Sequence, residues 1–192
     1  MPQVPLPTVI VLAAGRGRRF AQSGGATHKL DALIGGVSVL QRVLRIVAET
    51  GLPFHIVRPE NGPSAQSDGM GDSIARGVAA TAEAVGWLVL PGDLPLVNAH
   101  SLIQVARGLA THSVVVPFWD GRQGHPVGFS KECRAALTAL RGDAGARAIV
   151  QAHRQAGEVQ VLQLDDPGIV TDIDTLDDLA RAQALLMARQ TR

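Results

Sequence analysis

The sequence predicts a three-layer α/β fold: a Rossmann-like, mixed and mostly parallel sheet covered by helices on both faces, in a single domain over residues 1–192. Three observations carry this expectation. Short apolar runs alternate with amphipathic stretches of helical period, which is the βαβ pattern of a parallel sheet. The early runs are apolar without a polar alternate, as in strands buried on both faces. Polar or glycine-rich stretches follow several strand-like runs, and in open α/β sheets ligands bind beyond the carboxyl ends of the strands.

The elements follow in order. Thr8–Ala13 is β-branched and apolar, bounded by Pro7 and Gly15, and reads as the first strand. Ser38 to Thr50 sets Leu40, Val43, Leu44 and Val47 on one helical face, with Ser38 as cap and Gly51 as stop. Phe54–Val57 is a second strand, Gly71 to Val85 a helix, Trp87–Leu90 a third strand and Asn98 to Ala110 a capped helix. The run Ser113–Phe118, the turn Trp119 to Gly124 and the run Pro126–Phe129 suggest a hairpin or an irregular antiparallel insertion. Helices over Lys131–Leu140 and Gly145–Gln155, a strand over Glu158–Leu164, a short extended run Ile169–Ile173 and a last helix Leu176–Arg189 complete the chain.

Composition bounds the function. Charged residues are 18% and the formal net charge is +1, so the overall balance points to neither a nucleic-acid nor a membrane partner. Cys133 is the only cysteine, which removes an internal disulfide and a cysteine-rich zinc site and suits a small packing residue. Met1 to Pro7 carries no basic signal-peptide segment and no apolar run is long enough to span a bilayer, so a cytoplasmic location is expected.

Three strand-end stretches can carry chemistry. Gly15-Arg16-Gly17-Arg18-Arg19-Phe20 begins like the dinucleotide fingerprint, but Phe20 stands where close packing wants glycine or alanine, and no Walker loop occurs anywhere. A strand followed by a glycine turn still leaves backbone N–H groups for an anion, with Arg16, Arg18, Arg19 and Lys29 in reach, so a polyphosphate fits; a solvated basic loop is the alternative. Among 16 arginines and two lysines, Lys29 offers a compact charge for a phosphate oxygen, or is a surface lysine. In Leu90-Pro91-Gly92-Asp93-Leu94-Pro95, two prolines and a glycine fix the backbone around one carboxylate, making Asp93 a candidate ligand for a hard cation such as Mg²⁺, or a turn cap. In Thr171-Asp172-Ile173-Asp174-Thr175, Asp172 and Asp174 share a side if the piece is extended, and either could be a second ligand. The same acids also suit a helix start capped by Asp174 or Thr175.

The motifs L-A-A-G-R-G-R-R-F with Lys29, G-M-G-D-S-I (Gly69 to Ile74), L-P-G-D-L-P, G-H-P (Gly124 to Pro126), G-D-A-G-A-R (Gly142 to Arg147) and D-I-D-T occur in one order over nearly the whole chain. In that order the sequence resembles the nucleotidyltransferases that modify molybdenum cofactor, and is most similar to the molybdenum cofactor cytidylyltransferase branch, where the G-H-P and G-D-x-G-A-R motifs are typical. The first loop departs from the family pattern: Gly17 replaces a serine, Phe20 a methionine and Ala21 a glycine, and Gln22 to Ala26 stand as extra residues before Lys29. Loop closure entropy grows slowly with length, so a longer loop can still return Lys29 to the phosphates.

The resemblance implies a nucleotide-diphospho-sugar transferase type of fold and transfer of an NMP group, CMP from CTP being favoured, onto the phosphate of molybdenum cofactor with release of pyrophosphate. It implies Arg19, Lys29 and Asp93 as catalytic groups, with Mg²⁺ held by Asp93 and by Asp172 or Asp174. Leu12, Ala13, Ala14, Gly15, Arg16, Gly17, Arg19, Lys29, Gly69, Ser73, Pro91 and Gly92 would meet the nucleotide, although a helix cap also explains Asp72 and Ser73. His125, Asp143 and Arg147 would meet the acceptor, although His125 could simply pack before Pro126 and Arg147 could pair with Asp143. A molybdenum hydroxylase is the implied client. The same core could serve a sugar phosphate or another phosphorylated small molecule. Two other classes are a non-catalytic maturation module and a dinucleotide-dependent oxidoreductase; the latter is disfavoured by Phe20 and by Arg58-Pro59-Glu60, which offers no clear ribose-binding acid.

Overall fold

In the computed structural model, which describes residues 5–59 and 69–190, the apolar opening run forms β1 (Thr8–Leu12). Met1–Val4 and Glu60, on which two of the sequence expectations partly fall, lie outside the described residues. A short helix α1 (Arg18–Gln22) follows, then a small antiparallel hairpin of β2 (Leu33–Ile34) and β3 (Val37–Ser38), none of them anticipated. Helix α2 (Val39–Glu49) is capped as expected, Ser38 Oγ accepting from the Gln41 N–H at 3.3 Å. The chain continues through β4 (Phe54–Val57), α3 (Met70–Ala80), β5 (Gly86–Pro91) and α4 (Ala99–Gly108). Next come β6 (Val114–Trp119), β7 (Arg122–Gln123) and β8 (Val127–Ser130), and a 3₁₀ turn leading into α5 (Arg134–Thr138). The last elements are α6 (Arg147–Gln155), β9 (Val159–Gln163), a 3₁₀ turn over Pro167–Val170 and α7 (Leu176–Gln190).

The sheet runs β4-β1-β5-β8-β6, with β9 on the far side of β6. β1 is parallel to both β4 and β5, β8 is antiparallel to β5 and β6, and β9 is parallel to β6. The mixed, mostly parallel sheet is therefore as the alternation predicts. The expected hairpin is present, but its return arm is split: β7 pairs with the end of β6 and β8 with its beginning, and Gly124-His125-Pro126 bulges out between them with a cis bond before Pro126.

Strand alternation builds two cores. Val9, Val11, Leu88, Leu90 and Val115 face Val43 and Val47 of α2, Leu102 and Val105 of α4 and Ala182 of α7. Ile10, Trp87, Val89, Val114 and Val116 face Ile74 and Val78 of α3, Leu137 of α5 and Ile149 and Val150 of α6. At about 25 cal/mol per Å² of apolar surface, burial on both faces is what holds the central strands, and Val9, Ile10 and Val11 are wholly buried. Cys133 is a packing residue of the second core, as its sequence context suggests.

Three local expectations are corrected. Ile169–Ile173 is not a strand: Asp166 Oδ1 accepts from the Gly168 N–H at 2.9 Å, Pro167 pre-sets the turn, and a 3₁₀ helix forms there. Both isoleucines are still fully buried, which is why the run looked like a core strand. The helix expected over Gly71–Val85 ends at Ala80, where the Thr81 hydroxyl donates to Gly77 and accepts from the Trp87 indole N–H at 2.9 Å. The helix expected over Gly145–Gln155 begins only at Arg147, because the chain before it is held against the start of α3.

Candidate active site

The loop after β1 is shaped by Gly17, which caps α1 from the left-handed region at φ 60°, a conformation glycine adopts at no steric cost. The backbone N–H groups of Arg16, Gly17 and Arg18 donate to no other described residue, so the loop presents free donors at a helix start. Phe20 is buried beneath, 1% exposed, so the residue that spoils the dinucleotide fingerprint is the hydrophobic anchor of α1. After α1 the extra residues fold into a turn whose Ser23 Oγ accepts the N–H of Leu176 at the start of α7 (3.0 Å), and the chain returns to place Lys29 in the cleft.

Lys29 is the centre of the charged floor. Its Nζ lies 2.6 Å from Asp93 Oδ2 and 2.9 Å from Asp174 Oδ1, while Arg19 holds Asp174 Oδ2 at 2.7 Å. Burial alone would lower the Lys29 pKa, but Asp93 and Asp174 together outweigh it and hold it above its ordinary value. The Ile173 N–H donates to the Asp93 carbonyl at 3.0 Å and its side chain is buried, so the segment bearing Asp172 and Asp174 is clipped to the turn after β5. Asp172 faces the same cleft. Partial desolvation, together with the negative charges of Asp93 and Asp174, raises its pKa above the usual carboxylate range. The acids of the late segment divide their work: Thr175 and Asp178 cap α7 reciprocally, with Asp178 N–H to Thr175 Oγ1 at 3.2 Å and Thr175 N–H to Asp178 Oδ2 at 2.8 Å. Asp172 and Asp174 are thereby left to the cleft.

These groups surround a cleft of about 780 Å³. It is lined by Leu12, Ala14, Gly15, Arg16, Gly17, Arg19 and Lys29 on one side, Gly69, Ser73 and Pro91 on another, and Asp93, His125, Asp143, Asp172 and Asp174 at the floor and rim. Three residues named from the sequence are elsewhere. Ala13 packs in the core with its N–H bound to the Val57 carbonyl, and the Gly92 N–H is bound to the Leu12 carbonyl, so neither offers a free donor. Arg147 lines an adjoining pocket of about 530 Å³ that shares Leu12, Met70, Pro91, Gln123 and His125 with the cleft. Arg122, Gln123 and Met70 line the cleft without having been singled out, although Met70 lies inside the G-M-G-D-S-I motif and the other two directly precede G-H-P.

Two motifs turn out to be one structural unit. The carboxylate of Asp72 accepts from the N–H groups of Gly69 (3.1 Å) and Gly142 (2.9 Å), and the Gly71 N–H donates to the Gly142 carbonyl at 2.8 Å. A Cβ on Gly69 would lie 2.0 Å from the backbone of Gly142, so G-M-G-D and G-D-A-G are glycine-rich because they touch. His125 is buried beside the turn after β5. Burial lowers its pKa, opposed by Asp93, and its Nδ1 has no partner among the described residues. Asp93 Oδ1 is likewise buried and has no partner among the described residues. Among the described residues, no three His, Cys, Asp or Glu side chains gather as a self-contained metal site.

The family model described as MobA-like NTP transferase domain matches residues 9–157. The chain belongs to that family. The MobA-like domain places it among the nucleotidyltransferases, and the dinucleotide-dependent oxidoreductase reading falls away with that assignment. The Purine catabolism protein PucB of Bacillus subtilis is 30% identical over 191 residues, covering 88% of this chain and 92% of PucB. In fold, this MobA-like chain is similar to the crystal structure of Rv0371c from Mycobacterium tuberculosis, with 23% identity, a TM-score of 0.77 and coverage of 93% and 98%. A manganese complex of Rv0371c has also been solved. The molybdopterin-guanine dinucleotide biosynthesis protein A of Archaeoglobus fulgidus shares the fold at 16% identity and a TM-score of 0.61, covering 94% and 99%. No helix among the described residues is long and apolar enough to cross a membrane.

Proposed function

We propose that this MobA-like domain transfers CMP from CTP to the phosphate of molybdenum cofactor and releases pyrophosphate. The observation that carries the reading is the floor of the cleft. Lys29 is held between Asp93 and Asp174, and opposite stands a glycine loop with free N–H groups and Arg19. A triphosphate laid across such a site meets donors and cations along its length, with carboxylates beneath.

The donor set fits a divalent ion. Asp93 Oδ1 is buried with no partner among the described residues, and Asp93, Asp172 and Asp174 bring one more negative charge than Lys29 and Arg19 neutralise. Asp93, with Asp172 or Asp174, would hold Mg²⁺, whose coordination commonly combines one or two carboxylates with substrate phosphate oxygens. Bound there, it would supply a doubly charged Lewis acid against the phosphates. This chain's own residues do the rest. The loop amides, Arg19 and Lys29 orient the triphosphate and stabilise the charge that develops on the leaving pyrophosphate. An oxygen of the acceptor phosphate forms the new bond to the α-phosphorus, the bond to the bridging oxygen breaks, and the electron pair leaves on pyrophosphate. A phosphate monoester with a second pKa of about 6 is already ionised near neutrality, so no strong general base is needed.

The acceptor belongs in the adjoining pocket. Its floor is apolar, and Arg147, Gln151 and Arg154 project into it from successive turns of α6. His125, whose Nδ1 has no partner among the described residues, stands at the junction of the two pockets and could accept a hydrogen bond there from a donor group of the cofactor. Asp143 lies on the rim of the cleft. CTP and the molybdenum cofactor are favoured by the likeness of G-H-P and G-D-A-G-A-R to the cytidylyltransferase branch. The relationship to PucB, a purine catabolism protein, suits a client among molybdenum hydroxylases. Offering ATP, GTP, CTP and UTP separately with Mg²⁺ and either molybdenum cofactor or a sugar phosphate, and following pyrophosphate with the nucleotidylated product, tests this. Pyrophosphate release and product with CTP alone is expected; turnover with a sugar phosphate and none with the cofactor overturns the acceptor assignment.

A further inference from the structure

The nucleotide loop has a residue behind it that no motif marks. Leu30 N–H donates to His28 Nδ1 at 3.3 Å, which makes Nδ1 the lone-pair nitrogen and leaves the proton on Nε2. Nε2 lies 2.8 Å from the Gly15 carbonyl oxygen and therefore donates to it. Gly15 and Arg16 line the cleft and His28 does not, so the Gly15 carbonyl is held by a residue outside the cleft lining. The Gly15–Arg16 peptide is trans, and in a planar trans peptide the C=O and the following N–H point in opposite directions. Holding the Gly15 carbonyl against His28 thus turns the Arg16 N–H to the side away from His28, and it has no acceptor among the described residues. The same ring backs Gly17: a Cβ there would lie 3.3 Å from His28 Nε2 and 3.4 Å from Lys29 Cγ.

We infer that His28 is the positioning residue of the anion loop: by clamping the Gly15 carbonyl it aims the Arg16 amide at the phosphates of the nucleotide. The loop is longer here than in the related pattern, and an unclamped glycine turn would sample both orientations of that peptide plane. His28 lies at the end of the extra stretch, next to Lys29, so one short segment delivers the phosphate-facing cation and fixes the amide opposite it. The inference rests on the triphosphate reading of the cleft.

Calorimetric titration with CTP in Mg²⁺ and with inorganic tripolyphosphate tests it on wild type, His28→Ala and His28→Gln, alongside thermal melting and steady-state kinetics. Loss of one aimed donor is expected to weaken both ligands about tenfold in His28→Ala. It should raise KM for the triphosphate while KM for the acceptor stays within twofold. Glutamine can accept from Leu30 and donate to Gly15, so His28→Gln is expected to recover most of the affinity. If wild type binds both ligands and His28→Ala binds them within twofold as well, the positioning role is overturned and the transferase reading stands. The role is also overturned if His28→Ala weakens binding only through loss of folded protein and His28→Gln does the same. If wild type binds neither ligand, the triphosphate reading itself fails and takes this inference with it.

Discussion

Lys29 is the residue on which the charged floor depends. It is 12% exposed and bridges two carboxylates, so its removal leaves Asp93 without a partner while Arg19 still holds Asp174. Breaking such a pair costs about 3–5 kcal/mol, and Lys29→Met is expected to lower the denaturant midpoint accordingly. The sign with pH follows from the raised lysine pKa: the stabilisation is fully present below 10.5 and is lost as pH rises through the folded value. Wild type and Lys29→Met should therefore converge in stability at strongly alkaline pH. Asp93→Asn keeps the shape of the turn and removes the charge proposed to hold the metal, and kcat for pyrophosphate release should fall about 10²–10³-fold. Cys133 is 1% exposed and burial raises its thiol pKa. Alkylation by iodoacetamide should therefore track unfolding, with negligible labelling of the native protein over the same hours.

At the level of elements, the start of α3 and the loop before α6 are bound together, and residues of both segments line the two adjoining pockets. Asp72 caps α3 and binds the Gly142 N–H with the same carboxylate. Asp72→Ala should cost about 1–2 kcal/mol as a lost cap. Gly69→Ala forces a Cβ within 2.0 Å of the Gly142 backbone, so the loop must move, at about 1–3 kcal/mol. Both losses are read as shifts in the denaturant midpoint. The kinetic signature should be a raised KM for the acceptor, because the loop carries Asp143 into the cleft and leads to Arg147 in the adjoining pocket.

Over the whole molecule, the two cores close through apolar packing, and the carboxylates proposed to hold Mg²⁺ line the cleft and belong to neither core. A chelator should therefore abolish transfer and leave the melting midpoint of the nucleotide-free protein within about 2 °C of its starting value. A triphosphate at 100 times its Kd should stabilise the fold by about 2.7 kcal/mol, an increase that chelation shrinks.

The division between what was legible in the chain and what was not has a physical basis. Local information sufficed where one residue's role depends on its neighbours in sequence: the buried strands, the Ser38 cap, the hairpin after Ser113 and the turn that presents Asp93. It failed where one short stretch carries two conflicting signals, as in Ile169–Ile173, whose buried isoleucines mimic a strand while Asp166 and Pro167 impose a 3₁₀ turn. The sequence could propose Arg19, Lys29, Asp93, Asp172 and Asp174 separately, because charge and backbone context are local properties. Only the tertiary structure brings Asp93 and Asp174 onto one lysine, 64 and 145 residues away. It also moves Ala13 and Gly92 behind the cleft and brings His28 up to the Gly15 carbonyl. Direction of a peptide plane and distance between remote side chains are set by packing, and packing is not written in any single stretch of the chain.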